Sequence, residues 1–116
     1  MSQYFDNDPN LKSIIKQIKY TYYGIEIDYK VDAGVFSIDR VDFGTNVLLQ
    51  SIPKFTNESI LDMGCGYGTI GLAIAKACKN TNVVMCDVNK RAISLTETNI
   101  LFNHINNAKV IESNCY

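Results

Sequence analysis

Two carboxylates bracket the most chemically suggestive stretch of the chain. Residues 60–71 read ILDMGCGYGTIG, with Asp62 ahead of the glycines and Asp87 nineteen residues beyond Gly68. Gly64, Gly66 and Gly68 permit left-handed backbone and let a ligand approach the main chain without meeting a Cβ. Asp87 ends the run Val83-Val84-Met85-Cys86-Asp87, and a carboxylate at such a strand end can accept hydrogen bonds from both hydroxyls of a ribose. Together these residues point to a nucleoside held between a glycine loop and an acidic strand end.

Two cofactors compete for this pattern. Gly66-Tyr67-Gly68-Thr69-Ile70-Gly71 also satisfies the G-x-G-x-x-G dinucleotide spacing, which is weak evidence alone. Asp62 separates the two: a pyrophosphate beside this carboxylate would be repelled, whereas the ammonium and sulfonium of S-adenosylmethionine are attracted. The expectation is S-adenosylmethionine over a nicotinamide dinucleotide, and both over a glycine turn that binds nothing.

Other reactive side chains carry plainer readings. Cys65, Cys78, Cys86 and Cys115 contain no Cys-x-x-Cys pair, and His104 is the one histidine, so no metal site is expected. Cys65, Cys78 and Cys86 adjoin apolar runs and read as buried thiols. His104 lies just past a helix end and reads as solvated or capping. Tyr20, Tyr22 and Tyr23 could stack bases, but packing is the simpler role. The 116 residues carry 11 Lys+Arg against 12 Asp+Glu, a net charge of −1, so no global field advertises nucleic acid or anionic membrane. No apolar run approaches a membrane span and the polar start is no signal sequence, making the cytoplasm the expected compartment.

The elements that must position the two carboxylates follow from hydrophobic period. Beyond Pro53 the chain alternates: strand Ser59–Met63, helix Thr69–Lys79, strand Asn82–Asp87, helix Lys90–Asn103, strand Lys109–Glu112. Such a βαβαβ run implies an α/β, Rossmann-like doubly wound parallel sheet with its crevice at the strands' carboxyl ends. In the second helix Ala92, Leu95, Asn99 and Phe102 share a face that reads as core, with Asn99 placed to hydrogen-bond a loop. Ahead of this core, Leu11, Ile14, Ile15 and Ile18 predict an amphipathic helix over Pro9–Lys19, capped by Asp8, with its lysines in solvent. Tyr20–Val31 alternates with strand period, and Gly24 marks either the turn of a short hairpin or a bulge in one strand. Residues 32–46 read as a structured loop and 46–52 as a short helix. The expected organisation is one incomplete domain, 1–52 supplying helix, hairpin and covering loop, 53–116 the cofactor-binding core.

With these residues in view, DMGCGYGTIGLAIAK, VVMCDVNKRAISLTETNILFN and GVFSIDRVDFGTNVLL resemble the class I S-adenosylmethionine-dependent methyltransferases. Within them the chain is similar, over about residues 20 to 116, to the small-domain group that includes ribosomal RNA small-subunit guanine-N2 methyltransferases. The resemblance implies that Asp62, Gly64, Cys65, Gly66 and Gly68 surround the methionine part of the cofactor and that Asp87 binds its ribose. It places Val88 against the adenine, Asn114 at its amine, and Phe36, Gly44 and Thr45 over the cofactor and target pocket. Ribosomal RNA or the small subunit would be the partner. The family's Asn-Pro-Pro-aromatic motif, which holds the target amine, does not occur in residues 1–116. The catalytic residues are therefore unassigned, and the chain is expected to be truncated, inactive alone and prone to self-association. Alternatives are a binding fragment without catalysis and a methyltransferase acting on a small molecule or protein.

Overall fold

The computed structural model describes residues 14–33 and 38–113. Strands β1 (Ile15–Tyr22) and β2 (Ile25–Asp32) form an antiparallel hairpin in register from Ile15↔Asp32 to Tyr22↔Ile25. Both turn residues have positive φ, Tyr23 at 48° and Gly24 at 73°; this two-residue turn matches the twist of the flanking strands. The expected Pro9–Lys19 helix is therefore wrong over residues 15–19, which are strand. Ile15 and Ile18 satisfy a helical spacing, but Ile18, Tyr20 and Tyr22 also alternate with Lys19 and Thr21, and pairing with β2 decides between the two periods. Residues 9–13 and the Asp8 cap lie outside the described residues.

Helix α1 spans Phe43–Ser51, beginning three residues before the expected start. Asp42 explains the shift: its Oδ1 accepts from Thr45 N at 2.8 Å and its Oδ2 from Thr45 Oγ1 at 3.0 Å, an N-cap that draws Gly44 and Thr45 into the first turn. The remainder follows the expected alternation as β3 (Ser59–Met63), α2 (Thr69–Ala77), β4 (Asn82–Asp87), α3 (Lys90–Phe102) and β5 (Ala108–Glu112). The three strands are parallel in the order β3-β4-β5. Both α2 and α3 pack on this sheet and on the hairpin, so the helices lie between two sheets. Hairpin residues Ile27, Tyr29 and Val31 accordingly share one buried cluster with Leu72, Ile74 and Met85.

The face that α3 turns to the hairpin is polar. Asn99 Oδ1 accepts from Lys30 N at 2.7 Å and its Nδ2 donates to Lys30 O at 3.1 Å. One turn on, Asn103 Oδ1 accepts from Asp28 N at 3.0 Å and its Nδ2 donates to Asp28 O at 2.7 Å. Two residues of strand rise about as far as four residues of helix, roughly 6–7 Å against 6 Å, so asparagines at i and i+4 match the peptide groups of alternate strand residues. The two carboxamides thus complete the outer edge of β2. This corrects the expected core face of α3 in part: Asn99 is buried as expected, but the other buried side chains are Thr96 and, at the helix end, Asn103, while Phe102 is exposed beneath the Lys30 ammonium, 4.4 Å from its ring centre. Cys65 and Cys78 are buried free thiols; Cys86 is equally buried but disulfide-bonded.

Candidate functional site

Parallel pairing of β3 with β4 sets Met63 opposite Cys86, so Asp62 and Asp87 end adjacent strands at the same margin of the sheet. The glycine loop between β3 and α2 is strapped to β4 there. Gly64 N and Cys65 N both donate to Cys86 O, at 2.8 and 3.0 Å, and Gly66 N donates to Asp87 Oδ2 at 2.9 Å. The other Asp87 oxygen accepts from Asn89 N at 2.9 Å. Each oxygen keeps a lone pair for a further donor.

Gly64 and Gly66 hold φ of 70° and 59°, and a Cβ on either would meet nothing within 4 Å. Their requirement is conformational, and the space beside them is open. Gly71 is glycine for another reason: a Cβ there would meet Met85 and Asp62, so its absence lets α2 lie close on the sheet.

Asp62 Oδ2 accepts from Gly71 N at 3.0 Å. Burial pushes its carboxyl above the usual carboxylate range, opposed by that amide and reinforced by the negative charge of Asp87. Among the described residues no cation pairs with Asp62. Two neighbouring carboxylates with no counter-charge among the described residues suit a cationic ligand and disfavour a pyrophosphate. Cys65, in the same loop, is not poised as a nucleophile, because burial raises its thiol to about 11 and keeps it protonated at neutral pH.

The structure brings Asp62, Gly64, Cys65, Gly66, Gly68 and Asp87 into one cluster, with Val88 exposed directly after β4. Gly44 and Thr45 are near but separate: their neighbours Asp42, Phe43 and Asn46 line a cleft of about 760 Å³ together with Lys19, Tyr20 and Tyr67 of the glycine loop. Phe36 and Asn114 lie outside the described residues. Two residues join the site without having been expected there. Tyr67 presents its ring to the cleft and meets Tyr29 edge-on at 5.5 Å, and the buried Tyr29 hydroxyl donates to Thr69 O at 2.7 Å. Tyr67 occupies an unrestricted place in the glycine pattern and Tyr29 is distant in sequence, so neither carried a local signal.

Of the other aromatic candidates, Tyr23 is exposed at the hairpin turn. Tyr22 is buried, and Tyr20 donates to Asn46 Oδ1 at 2.8 Å, tying the hairpin to α1. His104 lies two residues past the end of α3, exposed, at a φ of 55°. Among the described residues no group of three or more His, Cys, Asp or Glu side chains could hold a metal, and no helix is long and apolar enough to cross a membrane.

Known proteins resemble this chain in sequence and in fold. An uncharacterized protein of Bacillus subtilis, YbxB, is 37% identical over 114 residues, covering 97% of this chain and 57% of its own. A ribosomal RNA small subunit methyltransferase C from Colwellia psychrerythraea is 34% identical over 94 residues, covering 81% of this chain and 26% of its own. The chain thus spans between about half and a quarter of the length of these relatives. Among solved structures, M. jannaschii TYW2 in complex with AdoMet superposes with a TM-score of 0.67 at 23% identity, over 90% of this chain and 46% of that one. The Pyrococcus abyssi tRNA (uracil-54, C5)-methyltransferase in complex with S-adenosyl-L-homocysteine does so at 0.62 and 26% identity, over 84% and 24%. The family model of the methyltransferase small domain matches residues 26–116. With its glycine loop, paired acidic strand ends and parallel sheet, this chain belongs to the methyltransferase small domain family.

Proposed function

We propose that the cluster around Asp62 and Asp87 is the S-adenosylmethionine site of an N-methyltransferase. The observation that carries the reading is the pair of carboxylates with no described counter-charge beside an open glycine loop. When bound, the cofactor supplies a methyl group on a positively charged sulfur. Asp62, with one oxygen engaged by Gly71 N, would receive the ammonium on its remaining lone pairs. Asp87 would accept from the ribose hydroxyls while its two present amide contacts hold it in place. Val88 is exposed where the adenine would lie, and Cys65 is buried within the loop. Phe36, Gly44 and Thr45 would cover the pocket, and Asn114 would meet the adenine amine.

The proposed target is an exocyclic amine, guanine N2 of small-subunit ribosomal RNA, and the proposed compartment the cytoplasm. The likeness to ribosomal RNA small subunit methyltransferase C supports this target. Isothermal titration of the full-length protein tests the site: S-adenosylhomocysteine should bind and NAD should not. Asp87→Ala should weaken binding by about 1–3 kcal/mol through loss of charge-assisted contacts. Tight NAD binding, or unaltered affinity in Asp87→Ala, overturns the assignment. Labelled methyl transfer to small-subunit RNA tests the target, and transfer confined to proteins or small molecules would replace it.

A further inference from the structure

The glycine loop has little local reason to hold one shape. Gly64, Gly66 and Gly68 all sit at positive φ, and glycine loses more conformational freedom on ordering than any other residue. The face of the loop toward α3 is nevertheless held at two successive carbonyls. Thr96, fully buried, donates its hydroxyl to Gly66 O at 2.7 Å. Asn99, also fully buried, donates Nδ2 to Tyr67 O at 2.9 Å. In a trans peptide the C=O and the following N–H point in opposite directions, so holding the Gly66 carbonyl against α3 turns the Tyr67 N–H away from it. The same Thr96 side chain presents its methyl to Gly68, where an added Cβ would stand 3.1 Å from Cγ2. The Asn99 carboxamide that holds Tyr67 O also holds both backbone groups of Lys30, so loop and hairpin share one anchor.

We propose that Thr96 and Asn99 are positioning residues for cofactor binding, ordering the glycine loop from its buried side before the ligand arrives. The inference rests on the S-adenosylmethionine reading of the site. Neither side chain need touch the ligand; their contribution is that binding does not have to bear the cost of ordering a three-glycine loop.

The test compares Thr96→Ser, Thr96→Ala and Thr96→Val in the full-length protein by titration with S-adenosylhomocysteine. Serine keeps the hydroxyl, alanine removes it at equal loss of the methyl, and valine removes it at constant volume. Thr96→Ser should bind within about threefold of wild type, and Thr96→Ala and Thr96→Val about tenfold more weakly, the worth of one buried hydrogen bond. In steady-state assays the KM for S-adenosylmethionine should rise by that factor while kcat at saturation stays within about twofold, a split that general destabilisation would not produce.

Equal affinities for the serine and alanine variants overturn the inference. Wild-type protein that fails to bind S-adenosylhomocysteine overturns the underlying site reading instead, and this inference with it. Amide relaxation on the unliganded wild type decides the matter even if a variant fails to fold. Order parameters near 0.85 at Tyr67 and Gly68 are expected of a loop ordered in advance, and values below about 0.6 refute it.

Discussion

Replacing Gly71 by alanine measures how closely α2 lies on the sheet. The new Cβ would stand 2.6 Å from both Cγ and Sδ of Met85 and 3.1 Å from Asp62 Oδ2. Ordinary carbon contacts lie at about 3.5–4.0 Å, so Met85 must retreat by about 1 Å. Met85 is fully buried and cannot swing into solvent, so the shift has to be absorbed by its neighbours in the core. Overpacking of this kind costs about 1–3 kcal/mol. Alanine recovers about 1 kcal/mol through its helix propensity, leaving a net loss of between zero and about 2 kcal/mol. For a domain of this size that lowers Tm by up to about 10 °C.

Urea unfolding followed by circular dichroism should show this loss in the wild-type background. In a Met85→Ala background, where the obstructing atoms are gone, the same substitution should be neutral or stabilising. A Gly71→Ala variant more stable than wild type by about 1 kcal/mol, the full helix-propensity gain, would refute the close approach, and equal changes in both backgrounds would show that Met85 is not the obstacle.

Three further outcomes follow from the same structure. Tyr22 is buried with a hydroxyl that finds no partner among the described residues, so Tyr22→Phe should hold or raise stability, by up to about 1 kcal/mol in thermal unfolding. Asn103→Leu strands both backbone groups of Asp28 and removes an acceptor of the Lys76 ammonium, so a loss of about 2–4 kcal/mol is expected; a loss under 1 kcal/mol would mean that water replaces the carboxamide. Asp62→Asn should stabilise the unliganded protein while abolishing most S-adenosylhomocysteine affinity. Because the folded carboxyl lies above its unfolded value of 3.8, wild-type stability falls as pH rises through that interval and stays reduced above it. The advantage of the asparagine variant should therefore be full at neutral pH and vanish below the unfolded value, as paired urea titrations at pH 7 and in acid would reveal.

The glycine loop and the alternation beyond Pro53 were legible because each rests on local signals: apolar runs, glycine spacing, an acidic residue at a strand end. The failures arise where a distant partner decides. Ile18 fits a helical period with Ile15 and an extended one with Tyr20 and Tyr22, and only pairing with β2 makes the segment strand. Helix α3 was misread for a different reason, since its buried face carries Thr96, Asn99 and Asn103 rather than hydrophobic residues. A reading that equates burial with apolarity selects Phe102 and passes over Thr96 and Asn103, whereas Asn99 is expected on this face and does hydrogen-bond the glycine loop. Asp42 shows a cap that was visible in sequence, an Asp three residues before a Thr, yet was absorbed into a loop by the two glycines around it.

The asparagines of α3 also constrain the order in which the molecule can assemble. The contacts from Asn99 to Lys30 and from Asn103 to Asp28 close separations of 69 and 75 residues, while the hairpin turn at Tyr23 and Gly24 is local. Long separations are closed slowly because loop entropy must be lost first. The hairpin can thus form early on its β1 side, but the outward amides of Asp28 and Lys30 acquire partners only once α3 has docked. In hydrogen exchange these two amides would report the arrival of a helix rather than the pairing of the strand that carries them, a clock for tertiary assembly embedded in an element of secondary structure.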